Sequence, residues 1–132
     1  MNAPQNLSHK PIIAVNDYDK IDGIYSTSTD AKAISIGEAQ YDNTQISLKV
    51  WRNTGSQWSR QSEELPLHRV IDLCRLLVSS ISAPGGITTT LNETVVQADR
   101  VIEIDDYYAN NQVMLDAKLS ELKILLNKLS HI

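Results

Sequence analysis

The hydrophobic period of this chain changes near residue 66, and that change sets what it can fold into. Gln45-Ile46-Ser47-Leu48-Lys49-Val50-Trp51-Arg52 alternates with period two. The alternation places Ile46, Leu48 and Val50 on one face of a strand and Ser47, Lys49 and Trp51 on the other. From Leu67 the apolar residues fall at 67, 70, 71, 74, 77, 78 and 81, the stripe of a helix. Pro66 suits the first helical position, where its missing N–H costs nothing. Ala83-Pro84-Gly85-Gly86 then breaks the helix.

Other segments fall on the same side of that divide. Pro11–Val15 is a short apolar run, Ala33–Ile36 alternates, and Gln57–Ser62 reads as a strand paired with 45–52 through an Asn53–Ser56 turn. Asp22-Gly23 and Asp42-Asn43 mark further turns. A second helix is predicted over 91–104, with Leu91, Val95, Ala98 and Ile102 in phase. A third is predicted over 111–130, capped by Asn110-Asn111, with Leu115, Leu119, Leu122, Leu126 and Leu129 stepping by four and three. The expectation is an α+β fold, in which a small antiparallel β-sheet from about 10–62 packs against two or three α-helices at about 66–82, 91–104 and 111–130. Residues 1–9 read as a flexible N-terminal tail and 10–132 as a single domain.

Composition narrows the function classes. The chain has 132 residues, 42% hydrophobic and 21% charged, which fits a globular protein rather than a disordered one. It contains no Phe, so Leu, Ile and Val must supply most of the core. The net charge of -4 argues against coating nucleic acid by overall charge. Residues 45–82, with five basic and three acidic side chains, form the only net-positive third. The single cysteine, Cys74, excludes an internal disulfide and a thiolate zinc site. No signal peptide or membrane span is read from the sequence, and a cytoplasmic protein without membrane partners is expected.

Three groups of residues are candidates for function. The Leu115–Leu129 ladder could form an oligomer interface. Ile124 and Leu125 widen the apolar face beyond a strict seam, so packing within the domain is the favoured use. Trp51 and Trp58 interleave with Lys49, Arg52 and Arg60, and Tyr41 could extend the set. Rings beside cations can stack bases or hold an anionic ligand. In a chain without Phe, core anchoring is the commoner use of such rings. By parity Trp51 lies opposite the apolar face, which makes it the ring expected at a surface or interface. His68 and Arg69, at the end of the same segment, complete the candidate binding set.

The polar run Ser59–Glu64, with His68 and Asp72, holds the residue types of a hydrolase. No nucleophile motif accompanies them. His68, Asp72, Arg75 and Ser79 also form the polar stripe of the predicted helix, where an i, i+4 ion pair explains His68 and Asp72. No catalytic residue is assigned. Asp17–Gly23 fails the calcium-loop pattern and reads as a turn. His9, His68 and His131 are too scattered to suggest a metal site. No phosphate-binding glycine motif is present, so no cofactor is expected.

The segment Ile46–Arg52, followed by Trp58-Ser59-Arg60-Gln61-Ser62-Glu63-Glu64-Leu65-Pro66-Leu67-His68-Arg69, resembles a family of small bacterial proteins known only as a domain of unknown function. The resemblance covers about residues 10–80. It implies a bacterial, intracellular setting and transfers no catalytic residues. In layout alone, strands followed by a helix also resemble single-stranded-DNA-binding coactivator and whirly-type folds.

These readings converge on a non-enzymatic, self-associating binding or interaction module, a homo-oligomer with a dimer as the first guess. A single-stranded nucleic-acid-binding protein using Tyr41, Lys49, Trp51, Arg52, Trp58 and Arg60 is the alternative. A small hydrolase-like enzyme using Ser59, Glu64 and His68 comes third.

Overall fold

A computed structural model describes residues 1–59, 63–82 and 89–132. Four strands, β1 (Lys10–Asn16), β2 (Ala31–Glu38), β3 (Ile46–Arg52) and β4 (Glu63–Pro66), precede three helices, α1 (Leu67–Ile81), α2 (Val101–Asn110) and α3 (Gln112–Asn127). The arrangement is α+β, as the change of period predicts. The chain divides into two compact units, Met1–Leu73 and Cys74–Ile132. No helix among the described residues is long and apolar enough to cross a membrane.

The first unit is an antiparallel meander in the order β1-β2-β3-β4. Register places Ile34 opposite Val50, Ile36 opposite Leu48, and Leu48 opposite Leu65. These side chains, with Ile13, Val15 and Val70, line an apolar groove of about 380 Å³. Ala33 opposite Trp51, Ser35 opposite Lys49, and Lys49 opposite Glu64 occupy the other face. At Gly37 the β1 backbone comes so close that a Cβ would collide with the Lys10 carbonyl oxygen.

The burial of the two faces reverses the usual pattern. Ser35, Ser47, Lys49 and Trp51 are buried, whereas Leu48 and Val50 are half-buried and Ile46 is 41% exposed. Trp51 is only 3% exposed, so the expectation of a surface ring is corrected. Alternation assigns residues to opposite faces, but the face that is enclosed depends on what else covers it.

The turn after β3 forms around Thr54–Gln57, with Gly55 at φ 105, a conformation that favours glycine. Asn53 and Trp58 form an isolated bridge. Of the predicted strand 57–62, Trp58 makes this bridge, residues 60–62, including Arg60, lie outside the described residues, and β4 begins at Glu63. Pro66 ends β4 rather than starting α1, tolerated because β4 is an edge strand.

In the second unit the predicted helix over 91–104 starts later than expected. Residues 91–97 are not helical; a 3-10 turn at Ala98–Arg100 leads into α2. Asn92 has φ 59, and the Thr89 hydroxyl receives the Leu91 N–H and bonds Glu93. Such local side-chain bonds compete with helix formation, and β-branched Thr94-Val95-Val96 adds to the effect. The Asn111 side chain donates to the Tyr107 carbonyl at 2.9 Å, so it caps the end of α2 rather than the start of α3. The Ala83–Gly86 breaker lies outside the described residues.

Arg52, on the apolar-face parity, pairs with Asp30 at 2.5 Å and with Glu63. All three side chains are 38–45% exposed. Exposed pairs contribute little, so Arg52→Ala is expected to cost no more than about 1 kcal/mol in urea unfolding. A loss several times larger would show that the pairs hold the sheet edge.

Candidate functional site

The enclosed face carries a polar network centred on His9, which is 1% exposed. Strand pairing brings its partners together: Ser35 from β2, Ser47 from β3 and Glu64 from β4. His9 Nδ1 lies 2.8 Å from Glu64 Oε1 and 3.0 Å from Ser47 Oγ, while Nε2 lies 3.1 Å from Ser35 Oγ. Glu64 Oε1 also accepts the Ser47 hydroxyl at 2.6 Å and the Gln40 N–H at 3.0 Å. Trp51 Nε1–H donates to Ser35 Oγ at 2.8 Å.

One set of directions satisfies this chain. Trp51 donates to Ser35, Ser35 donates to His9 Nε2, and His9 Nδ1–H donates to Glu64. Burial raises the pKa of the Glu64 carboxyl, but hydrogen bonds from Ser47, the Gln40 N–H and His9 together outweigh it. The net position lies below the usual carboxylate value. Glu64 Oε2 is buried without a hydrogen-bond partner among the described residues.

Rings and a cation complete the face. Trp51 meets His9 edge-on at 5.7 Å and Trp58 at 5.8 Å. Lys49 Nζ sits 4.6 Å from the Trp51 ring centre, and Lys49 is 8% exposed. Burial pushes its pKa down, partly opposed by the negative charge of Glu64. A cleft of about 640 Å³ opens here, lined by residues 6–9 and Gln57–Ser59 together with Gln40, Lys49 and Trp51.

Ser35, His9 and Glu64 have the connectivity of a nucleophile, base and orienting acid. Two observations count against catalysis. Ser35 and Ser47 are 4% and 0% exposed, and neither lines the cleft. Ser35 Oγ is also engaged by Trp51. A nucleophile must reach its substrate, so this network fits a scaffold that fixes the Trp51 ring and the cleft floor.

The residues singled out from sequence divide accordingly. Lys49, Trp51 and Trp58 come together at the cleft. Arg52 lies on the opposite parity with its charge paired, and Tyr41, 54% exposed, sits in the β2–β3 connection. The continuous aromatic-basic platform expected for stacking bases is therefore split between faces. His68 and Arg69 are exposed on α1. Glu64 bonds His9, Ser47 and Gln40, so the grouping of Ser59, Glu64 and His68 has lost its acid to another partner. In the second unit Leu115, Leu119 and Leu122 line a groove with Leu77, Ile81 and Tyr108, while Leu126 and Leu129 are 46% and 44% exposed. No group of three His, Cys, Asp or Glu side chains among the described residues could hold a metal ion.

His9 was legible only as an isolated histidine in a predicted tail. Its partners lie 26, 38 and 55 residues away. The available signal was parity: Ser35 and Ser47 are small polar residues on the same face as Trp51.

Comparison with the curated proteins and with solved structures finds no match. A family model does match residues 1–85, which include every residue of the His9 network and the cleft, and on that match the chain belongs to a family of unknown function, DUF6530.

Proposed function

We propose that this chain is a non-enzymatic binding module whose cleft, lined by residues 6–9 and Trp58, takes a small ligand. One observation carries the reading. The Lys49 side chain and an indole ring line an open cleft, while both serines of the network beneath are sealed from it. Small-ligand sites combine apolar walls with a few convergent polar groups, and this cleft has both.

Two measurements test the reading. Benzamide, a neutral planar probe, is expected to shift backbone and side-chain NMR signals of Gln40, Gln57 and Trp58. Trp58→Ala should weaken that binding. Shifts scattered over the surface, or none at millimolar benzamide, would remove the cleft. For catalysis, hydrolysis of p-nitrophenyl acetate by the parent is expected to match that of Ser35→Ala. A parent rate tenfold above the variant would make Ser35, His9 and Glu64 a working triad.

Self-association through α3 is a second reading, favoured by the exposure of Leu126 and Leu129 beyond the groove that receives Leu115, Leu119 and Leu122. Light scattering reads it directly: a monomer at micromolar concentration would remove it. A cytoplasmic setting belongs to the same reading, supported by the exposed, unpaired Cys74.

A further inference from the structure

We propose that the cleft takes a small carboxylic acid with a planar apolar body, its carboxylate seated on the Lys49 ammonium. The inference rests on the binding reading above and names the ligand class.

Lys49 is the starting point. Its ammonium carries three donors. Among the described residues Nζ has neither a hydrogen bond nor an ion pair, and its near neighbour is the Trp51 ring at 4.6 Å. Lys49 lines the open cleft and its Nζ keeps contact with water there, while the ring face of Trp51 holds the ammonium in place. An acceptor entering the cleft would satisfy donors that the chain leaves open.

Charge sets the ligand class. Among the described lining residues Lys49 is the one ammonium or guanidinium. Glu64 stands directly opposite Lys49 in the β3–β4 register, is 2% exposed at the side chain, and is held ionised by its donors. Lys49 and the ionised Glu64 already balance. A ligand's negative charge is therefore attracted by the ammonium it contacts and repelled by Glu64, and a single charge meets less of that repulsion than a double one. A phosphate monoester, with about 1.5 to 2 negative charges, would meet repulsion from Glu64. A nucleic-acid strand would need further cations, and Arg52 is already paired on the other parity. The Trp58 ring, with the side-chain amides of Asn6, Gln40 and Gln57, offers an apolar wall and uncharged hydrogen bonds. A volume of about 640 Å³ suits a small molecule.

The test uses the full chain with benzoate, benzamide and phenyl phosphate, followed by the two indole N–H signals of Trp51 and Trp58. Benzoate is expected to bind at least about tenfold more tightly than benzamide or phenyl phosphate. Lys49→Met should weaken benzoate about ten- to hundredfold and leave benzamide within about twofold. Retained benzamide binding shows that the cleft of the variant is intact; Lys49→Gln serves if Lys49→Met does not fold. Equal affinity for benzoate and benzamide overturns the carboxylate assignment and leaves the cleft reading standing. Tighter binding of phenyl phosphate overturns the monoanion argument. No shift with any of the three at millimolar concentration overturns both readings. A Lys49 variant that loses stability but keeps its benzoate affinity would show Lys49 serving Glu64 instead, and would also overturn the proposal.

Discussion

Glu64→Ala is expected to destabilise the chain by about 3–5 kcal/mol, one of the two largest effects on the polar face. The substitution leaves the His9 Nδ1–H, the Ser47 hydroxyl and the Gln40 N–H without their shared acceptor. Each unpaired buried donor costs about 1–3 kcal/mol, less whatever water can recover. Glu64→Gln keeps an oxygen for some of those donors and should cost roughly half as much, because a charge-assisted bond is about twice as strong as a neutral one. Urea unfolding followed by tryptophan fluorescence measures both variants. A Glu64→Ala loss under 0.5 kcal/mol, the usual range of a surface substitution, would show that the network contributes nothing.

The same carboxylate sets a pH dependence. Its folded pKa lies below the usual value of 4.5, so the unfolded chain binds the proton more readily. The stabilisation is therefore fully present above about pH 4.5 and is lost as pH falls through the lowered folded value. In Glu64→Gln that part of the acid-limb slope should vanish. Equal acid slopes in parent and variant would contradict the assignment.

Trp51 carries the second large effect. Among the described residues it is the one large apolar side chain of the four buried hydrophobic residues; the others are Ala31, Ala33 and Ala39. Trp51→Ala is expected to cost about 3–5 kcal/mol, from lost burial and the cavity left between His9 and Trp58. Trp51→Phe keeps a ring but leaves Ser35 Oγ without its donor, and should cost about 1–3 kcal/mol. A double-mutant cycle with Ser35→Ala isolates the Trp51–Ser35 bond. A coupling above about 0.5 kcal/mol is expected for groups in direct contact, and strict additivity would mean that the bond adds no stability.

Local pattern made much of the fold legible. The period-two run through Ile46–Arg52 became β3, and the stripe from Leu67 became α1 within a residue or two. Both are long periodic segments whose pattern agrees with their propensity. The predicted second helix fared worse, because Thr89, Leu91 and Glu93 close hydrogen bonds of their own and Asn92 takes a positive φ where a helix would otherwise begin. The candidate site was half legible. Lys49, Trp51 and Trp58 lie close in sequence and share a face, but His9 joins them only after three strand pairings.

By itself, the sequence determined the α+β class, the residues that share each strand face, and the absence of an internal disulfide. Those properties depend on side-chain period and on the count of one residue type. Only the tertiary structure decided which face of the sheet is enclosed. Parity separates Ser47, Lys49 and Trp51 from Leu48 and Val50, but gives no sign of which set meets cover. Cover comes from residues 6–9 and 57–59, and His9 then supplies hydrogen bonds that let polar side chains be buried. Polar groups leave water when partners await them, and here those partners come from distant parts of the chain.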